Sequence, residues 1–450
     1  MGRLFGTDGV RGIANIELTP TLAYKIGLAV TQILANDKKH KPKIIIGKDT
    51  RLSSDMLEAA LTAGICAMGG DVISCGVIPT PAVAYLTRKY EADAGVVISA
   101  SHNPYEYNGI KVFNSEGFKL RDDLEDEVEK IVLGEEASTE MKVYDGIGVA
   151  KFSVTAVNDY VDFISSQSVS GLENLKVVFD CANGATSVAI DNFVSKLGLN
   201  AKIIHSNPDG VNINTDCGST HIESLTKEVL ASKADVGIAF DGDGDRMLAV
   251  DEKGELVDGD QLIAVFATML KGEGRLRGNT AVVTTMSNLG FFEAMEKNEI
   301  KTAITGVGDK YVLHEMIKHG YSVGGEQSGH IIFADINTTG DGLLSGLMLL
   351  NALTKTGKKM SELVAVMDKY PQVLLNVPVD NNFKKSYNDD EDINEMIERY
   401  SGILAHNGRI LVRASGTEAL IRVMIEGKDI DKITEMANDI ADLIIEKNKK

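Results

Sequence analysis

Basic charge is what this chain has too little of: 46 lysines and arginines face 65 acidic residues, leaving a net charge of -19 and a pI near 4.9. That balance excludes a broad electrostatic footprint for nucleic acid or an anionic membrane. Any anionic ligand must therefore meet a local cluster of positive charge. Cysteine is scarce as well. Cys66, Cys75, Cys181 and Cys217 are dispersed without CxxC spacing, which speaks against a disulfide framework or zinc site and for reduced core thiols. No apolar run approaches the roughly 18 residues a bilayer demands. No apolar h-region opens the chain, and position 6 is Gly6 instead of the hydroxyl residue of a myristoylation signal. A soluble, cytoplasmic protein is expected. There is no Walker A motif and no GxGxxG opening a helix after a strand, so nucleotide binding has no support.

What is present is enough apolar text for several cores: 450 residues, 44% hydrophobic and 25% charged, suggest roughly three to four domains. Thr19 is a good N-cap and Pro20 suits the first helical position, while Leu22, Ile26, Ala29 and Ile33 recur at helical spacing. The strand Ile44–Ile46, a helix from Ser54 to Met68, and strands at Val72–Ile73 and Gly95–Ser99 follow, an order that predicts parallel βαβ packing. The order returns with Val177–Phe179, a helix on Ile190, Phe193, Val194 and Leu197, then Ile203–Ile204 and Val236–Phe240. It returns again with Val282–Val283, a helix near Phe291–Met295, and Ala303–Ile304. After Tyr370 strands at Val373–Val379, Ile410–Val412 and Ile421–Ile425 and one C-terminal helix predict a smaller α+β domain; the acidic stretch Asn381–Asp392 reads as a solvated loop or helix start. The fold class is thus α/β: three similar domains with mixed, mainly parallel sheets and a C-terminal α+β domain, with boundaries at 1–153, 154–254, 255–369 and 370–450.

Each α/β unit ends in an unusual loop, and parallel sheets put ligands at the carboxyl ends of their strands, so three such loops can share one cleft. In Asp241-Gly242-Asp243-Gly244-Asp245-Arg246, glycines let the backbone curl while three hard oxygen ligands converge on a divalent cation. An EF-hand is the competing reading, since Glu252 falls at the twelfth position, but Arg246 occupies the glycine position and the flanks read as strands. A plain Asp- and Gly-rich hairpin turn is the bland alternative. Ser101 follows a buried strand and precedes His102-Asn103-Pro104; a serine there is an N-cap or turn residue unless a cation at the matching place stabilises a seryl phosphate. In Arg413-Ala414-Ser415-Gly416-Thr417-Glu418, with Arg422 following, backbone N–H groups, two hydroxyls and two guanidiniums can grip a phosphate, unless this is only a hairpin with surface arginines. Glu326, Ser328 and His330 share a glycine-flanked loop suited to adjacent sugar hydroxyls or an amine.

Together with Phe5-Gly6-Thr7-Asp8-Gly9-Val10-Arg11-Gly12, Asn108-Gly109-Ile110-Lys111, Pro208-Asp209-Gly210, Cys217-Gly218-Ser219-Thr220-His221 and Gly306-Val307-Gly308-Asp309, these loops resemble the α-D-phosphohexomutase superfamily over essentially the whole chain. Within it the likeness is to the bacterial phosphoglucosamine mutase branch, because Gln327 stands where the phosphomannomutase/phosphoglucomutase relatives typically carry Met. The resemblance implies a heart-shaped four-domain monomer with a central cleft, and interconversion of glucosamine 6-phosphate and glucosamine 1-phosphate through a 1,6-bisphosphate, feeding UDP-N-acetylglucosamine and cell-wall precursor synthesis. It implies one Mg²⁺ on Asp241, Asp243, Asp245 and phosphorylated Ser101, and glucose or glucosamine 1,6-bisphosphate as activator. Sugar contacts fall to Glu326, Ser328, His330, Gly306 and Val307, and phosphate contacts to Arg413, Ser415, Gly416, Thr417 and Arg422. Arg246 and Lys111 add positive charge; His102, His330, Arg11 and Lys111 are the candidates for moving the hydroxyl proton. The family usually writes proline at Ala414 and Ala419, so this turn is expected to be less stiff. A mutase for glucose or mannose phosphate, a phosphosugar-binding protein without turnover and a magnesium phosphatase are the alternatives at this point. Also open are a homodimer and the source of the first phosphate, an activating kinase or the chain itself.

Overall fold

In the computed structural model, residues 4–6, 8–35, 40–134, 140–415 and 419–449 are described. By its contacts the chain divides into Met1–Met286 with Ile300–Val366 (unit 1) and Ser287–Glu299 with Met367–Lys450 (unit 2).

Unit 1 holds three sheets. The first contains β1 (Val10–Ile13), β2 (Lys43–Lys48), β3 (Asp71–Val77), β4 (Ala94–Ile98), β5 (Tyr107–Asn114) and β6 (Ala150–Phe152) in the order β1-β5-β4-β2-β3-β6. The second contains β7 (Lys176–Asp180), β8 (Asn200–Ile204), β9 (Val236–Phe240), β10 (Met247–Asp251) and β11 (Leu256–Val257) in the order β11-β10-β9-β7-β8. The third contains β12 (Thr280–Thr284), β13 (Lys301–Thr305), β14 (Val323–Gly325) and β15 (Ile331–Phe333) in the order β13-β12-β14-β15. The series β3-β2-β4-β5, β8-β7-β9-β10 and β13-β12-β14-β15 are one topology repeated: two parallel neighbours on the first strand, then an antiparallel fourth strand. The central strands β4 and β9 are buried along their whole length, as strands covered on both faces must be. In every repeat the loop between the third and fourth strands is one that the sequence singles out: Ser99–Pro104, Asp241–Arg246 and Glu326–His330.

The first helix begins where the sequence predicts. Thr19 Oγ1 accepts from Leu22 N at 3.2 Å at the start of Pro20–Ala35. That helix packs on Ser54–Ala67 at backbone distance, through Gly27 against the Leu61 carbonyl and Gly64 against the Tyr24 carbonyl. Asp258 and Gln261 form a capping box on Gly259–Gly272, fixing the end that meets the third loop. The strand β5 and the helices Thr80–Lys89, Asp122–Leu133, Glu223–Ser232, Gly259–Gly272, Asp309–His319 and Gly342–Thr356 are among the additions to the predicted element order.

Unit 2 is a three-stranded antiparallel sheet, β16 (Gln372–Pro378), β18 (Leu420–Gly427) and β17 (Gly408–Ala414) in that order, with helices Glu391–Leu404 and Ile430–Asn448. Asp390 caps the first of these through Ile393 N, so the acidic stretch is a helix start. Ile433, Met436, Ala437, Ile440 and Ile444 of the second enter the core. The helix Leu289–Lys297 belongs with this unit, tied by Asn288 to the backbone of Tyr370 and to Glu426.

Candidate active site

Ser101 is 1% exposed and has a left-handed backbone, φ 54°, a conformation a residue with a Cβ adopts only when its surroundings impose it. Those surroundings are specific. Ser101 N–H donates to Ser99 Oγ (2.9 Å), which donates to Asp49 Oδ2 (2.6 Å). Arg51, wholly buried, pairs through Nε with Asp49 (2.8 Å) and turns the rest of its fork on the loop. Nη2 reaches the carbonyls of Ser101 (2.9 Å) and Asn103 (2.8 Å), and Nη1 those of Tyr107 (3.0 Å) and Pro104. Asn214 Nδ2, from the second repeat, donates to the Ser101 and Asn103 carbonyls at 2.9 and 3.2 Å.

The aspartate loop joins antiparallel strands, β9 and β10, with Gly244 at φ 70°; helices do not flank it, which removes the EF-hand reading. Ser101 Oγ donates to Asp241 Oδ2 at 2.6 Å. Ligand oxygens of Asp241, Asp243 and Asp245 lie within 4.8 Å of one another, all three residues buried. Asp243 Oδ1 and Asp245 Oδ1 have no hydrogen-bond partner among the described residues, and buried carboxylate oxygens left that way are costly unless a cation takes them. The donor set, hard oxygens only, fits Mg²⁺. Burial, with Asp245 and Asp243 beside it, pushes the Asp241 carboxyl well above the usual carboxylate range. For Asp243 burial works in the same direction but Lys111 overrides it and holds the group low.

Positive groups ring the serine. Lys111, on β5 and 1% exposed, places Nζ 2.8 Å from Asp243, 2.9 Å from Asp8 and 3.5 Å from Asp245. Burial opposes its charge, yet these carboxylates raise its pKa well above the ordinary lysine value. Arg11 pairs with Asp8 and donates to the Ala100 carbonyl at 3.4 Å. Arg246 N–H donates to Asp241 Oδ1 (3.1 Å), and its Nη1 lies 3.3 Å from His102 Nδ1, which is 3.5 Å from Ser101 Oγ. Burial, then Arg246 and Arg11, push His102 down to about 4.

The third loop abuts the second: Met247 N–H donates to the Gly329 carbonyl (3.1 Å) and Gly259 N–H to that of Gln327 (3.0 Å). Glu326 Oε1 accepts from Gly308 N at 3.1 Å, which brings the Gly306–Asp309 turn alongside. Ser328, Gly306 and Val307 are exposed; His330 is 3% exposed with neither ring nitrogen hydrogen-bonded. In unit 2, Arg413 and Arg422 face each other across β17 and β18, like charges that a sheet tolerates poorly without an anion. Burial and Arg422 lower the Arg413 pKa. Ser415 is buried and its N–H donates to the Leu420 carbonyl at 2.9 Å; Gly416 and Thr417 lie outside the described residues. Sequence reasoning missed Asp49, Arg51, Asn214, Asp8 and Lys119. Position was the available signal for the first two, since they follow β2 at the same sheet end as Ser101.

The chain matches, part by part, the phosphoglucomutase/phosphomannomutase alpha/beta/alpha domain I (residues 2–139), domain II (158–254) and domain III (258–370), and the C-terminal domain of the same family (374–443). It is 53% identical to the phosphoglucosamine mutase of Acetivibrio thermocellus over 447 residues, covering 99% of this chain and 100% of that one. Over 445 residues it is 54% identical to that of Ruminiclostridium cellulolyticum, covering 99% of each. Among solved structures, a phosphoglucomutase/phosphomannomutase family protein from Burkholderia thailandensis has the same fold at TM-score 0.83 and 21% identity, covering 99% of this chain and 98% of that one. Aspergillus fumigatus N-acetylphosphoglucosamine mutase, solved with GlcNAc-6P and magnesium, shares the fold at TM-score 0.68 and 19% identity, with 99% and 96% covered. The chain belongs to the phosphoglucomutase/phosphomannomutase family, in its phosphoglucosamine mutase branch.

Proposed function

We propose that this enzyme interconverts glucosamine 6-phosphate and glucosamine 1-phosphate through a phosphorylated Ser101. The observation that carries the reading is the 2.6 Å contact of Ser101 Oγ with Asp241 in a loop whose other two aspartates each keep a buried, unpartnered oxygen. The full-length likeness to phosphoglucosamine mutases supplies the substrate. Asp241, Asp243 and Asp245, with the seryl phosphate, would hold Mg²⁺, which supplies charge neutralisation at the phosphoryl oxygens. Arg246 and Lys111 add positive charge where the transferring group develops negative charge. The sugar hydroxyl attacks phosphorus, the bond to Ser101 Oγ breaks as the new one forms, and of the four candidates His102 and His330 have a nitrogen free to take the hydroxyl proton, whereas Lys111, kept protonated by its carboxylates, and the Arg11 guanidinium act by charge. The bound 1,6-bisphosphate turns end for end, and Ser101 takes back the other phosphate. Glu326, Ser328, His330, Gly306 and Val307 hold the sugar; Arg413, Ser415, Gly416, Thr417 and Arg422 hold the phosphate that is not reacting.

The working units are 1–153, 154–254, 255–369 and 370–450, the site is cytoplasmic, and glucose or glucosamine 1,6-bisphosphate restores a lost phosphoserine. Ser101→Ala is expected to reduce turnover by at least four orders of magnitude, the order at stake when a covalent nucleophile is removed. Bisphosphate-primed activity near that of the parent would refute the assignment. Initial rates on glucosamine, glucose and mannose 6-phosphates decide the sugar, and release of inorganic phosphate in place of isomerised sugar would make the protein a phosphatase.

A further inference from the structure

Asp243 is held from outside its own repeat. Thr80, wholly buried, opens the helix Thr80–Lys89 of the first repeat, and its hydroxyl donates to Asp243 Oδ2 at 2.7 Å across 163 residues of chain. Its backbone N–H donates to the Asp243 carbonyl at 2.8 Å. One residue on a helix thus grips both the main chain and the carboxylate of Asp243. A threonine hydroxyl has a single proton to give, and here Asp243 takes it. Lys111 Nζ also reaches Asp243 Oδ2 (2.8 Å), but it is shared with Asp8 and Asp245, so it does not by itself decide how the Asp243 carboxylate is turned. With both donors on Oδ2, the oxygen left over is Oδ1, buried and without a hydrogen-bond partner among the described residues. The hold is stiff. Threonine is branched at Cβ, which restricts its χ1, and it stands in the first turn of a ten-residue helix. Pro79, which precedes it, lies against the next glycine of the loop, since a Cβ on Gly244 would come within 3.3 Å of it. The helix start has no side-chain cap of its own, and the Asp243 carbonyl already answers the Thr80 N–H. Capping therefore leaves the second contact, hydroxyl to carboxylate, without a purpose.

We propose that Thr80 is a positioning residue for Mg²⁺: its hydroxyl holds Asp243 Oδ2 so that Oδ1 is presented, together with Asp241 and Asp245, to the cation. The proposal rests on reading Asp241, Asp243 and Asp245 as the metal loop. A partner behind a ligating carboxylate sets the orientation in which that carboxylate meets the metal, so removing the partner weakens the metal and leaves the sugar contacts as they are.

Calorimetric titration of the full chain with magnesium chloride tests it. Thr80→Val keeps the side-chain shape and the backbone N–H and removes the hydroxyl; it is expected to weaken Mg²⁺ binding about tenfold, and by no less than about fivefold. Thr80→Ser, which returns the hydroxyl, should bind Mg²⁺ within about threefold of the parent, and at saturating Mg²⁺ the KM for glucosamine 6-phosphate should move less than about twofold in both variants. A smaller loss of Mg²⁺ affinity in Thr80→Val overturns the proposal even if its melting temperature falls, because that is the result of a helix cap alone. A serine variant as weak as the valine one, or a KM that worsens as much as the Mg²⁺ affinity, overturns it too. Should Thr80→Val not fold, the unaltered chain labelled at its threonine methyl groups decides. The resonance missing from the Thr80→Ser spectrum must move with added Mg²⁺ along the calorimetric binding curve, and one that stays still overturns the proposal. Binding of Mg²⁺ by the unaltered chain is read first. Its absence sinks the metal reading and this proposal with it, whereas normal binding that Thr80→Val does not change sinks only this one.

Discussion

Arg51 shows how much of an active loop can depend on one side chain that holds its backbone. Its guanidinium is wholly buried, neutralised by Asp49, and directs its remaining N–H groups at four carbonyls of the serine loop. Truncating it leaves a buried carboxylate without its cation and takes one donor from each of those carbonyls, of which Ser101 and Asn103 keep Asn214. Arg51→Ala is therefore expected to cost about 3–5 kcal/mol of stability. Urea unfolding measures it, and a loss under about 1 kcal/mol would mean that other donors replace the fork. A second buried acid behaves differently because no cation answers it. Asp341 accepts from Tyr160 OH (2.7 Å), Leu344 N (3.0 Å) and Asn337 Nδ2 (3.0 Å), and burial still pushes it up to about 6. A carboxyl whose folded pKa exceeds its unfolded value, near 3.9, stabilises the fold below the latter and loses that contribution as pH rises through about 6. Asp341→Asn should remove this slope: melting temperatures between pH 5 and 7.5 should show the variant gaining on its parent as pH rises. A constant difference would return the carboxyl to an ordinary pKa.

At the level of elements, the crossing of Pro20–Ala35 with Ser54–Ala67 rests on two glycines that bring the helix backbones together. Alanine normally gains about 1 kcal/mol over glycine inside a helix. At Gly64 the added Cβ would collide with the Tyr24 carbonyl, an obstacle that cannot rotate away, so overpacking of about 1–3 kcal/mol should win. Gly272, in the last turn of its helix with nothing within 4 Å, provides the contrast: Gly272→Ala should be neutral or stabilising. If both variants are stabilising in chemical denaturation, the helices separate more freely than the crossing suggests. Such packing is invisible in the sequence, and the same limit explains what else escaped. Periodicity revealed the long helices and the apolar central strands because burial writes itself into composition there. Strand β5, reading Tyr-Asn-Gly-Ile-Lys-Val-Phe-Asn, carries no such pattern; it is buried because β1 and β4 flank it and because Asp8 and Asp243 neutralise Lys111. Ser101 and the three aspartates stood out as odd residues at strand ends. Lys119 did not, since its partner Asp309 lies 190 residues further on. The threefold repeat of strand order was inferred only from element order, because topology survives when residue identity has drifted.

Across the whole molecule, the net charge of -19 makes each concentrated positive feature informative, and it makes the aspartate loop a liability in the absence of a cation. Lys111 answers Asp243 and Asp245 from one side only, while an oxygen of each remains buried without a partner. A ligand that binds the folded chain alone stabilises it by mass action, about 2.7 kcal/mol when present at a hundredfold excess over its dissociation constant. The unfolded chain scatters the three carboxylates and keeps no such site, so Mg²⁺ should raise the melting temperature along a saturating curve. General screening of the acidic surface would also stabilise, but sodium at equal ionic strength reproduces that part and leaves saturation unexplained. The variant Asp243→Asn/Asp245→Asn separates the two: it takes from the buried Lys111 its partner Asp243, which should itself lower stability in metal-free buffer, and it should abolish the saturating response to Mg²⁺. A double variant that still responds to Mg²⁺ with the parent's midpoint would move the cation away from this loop, and with it the reason for reading Ser101 as the phosphorylated residue.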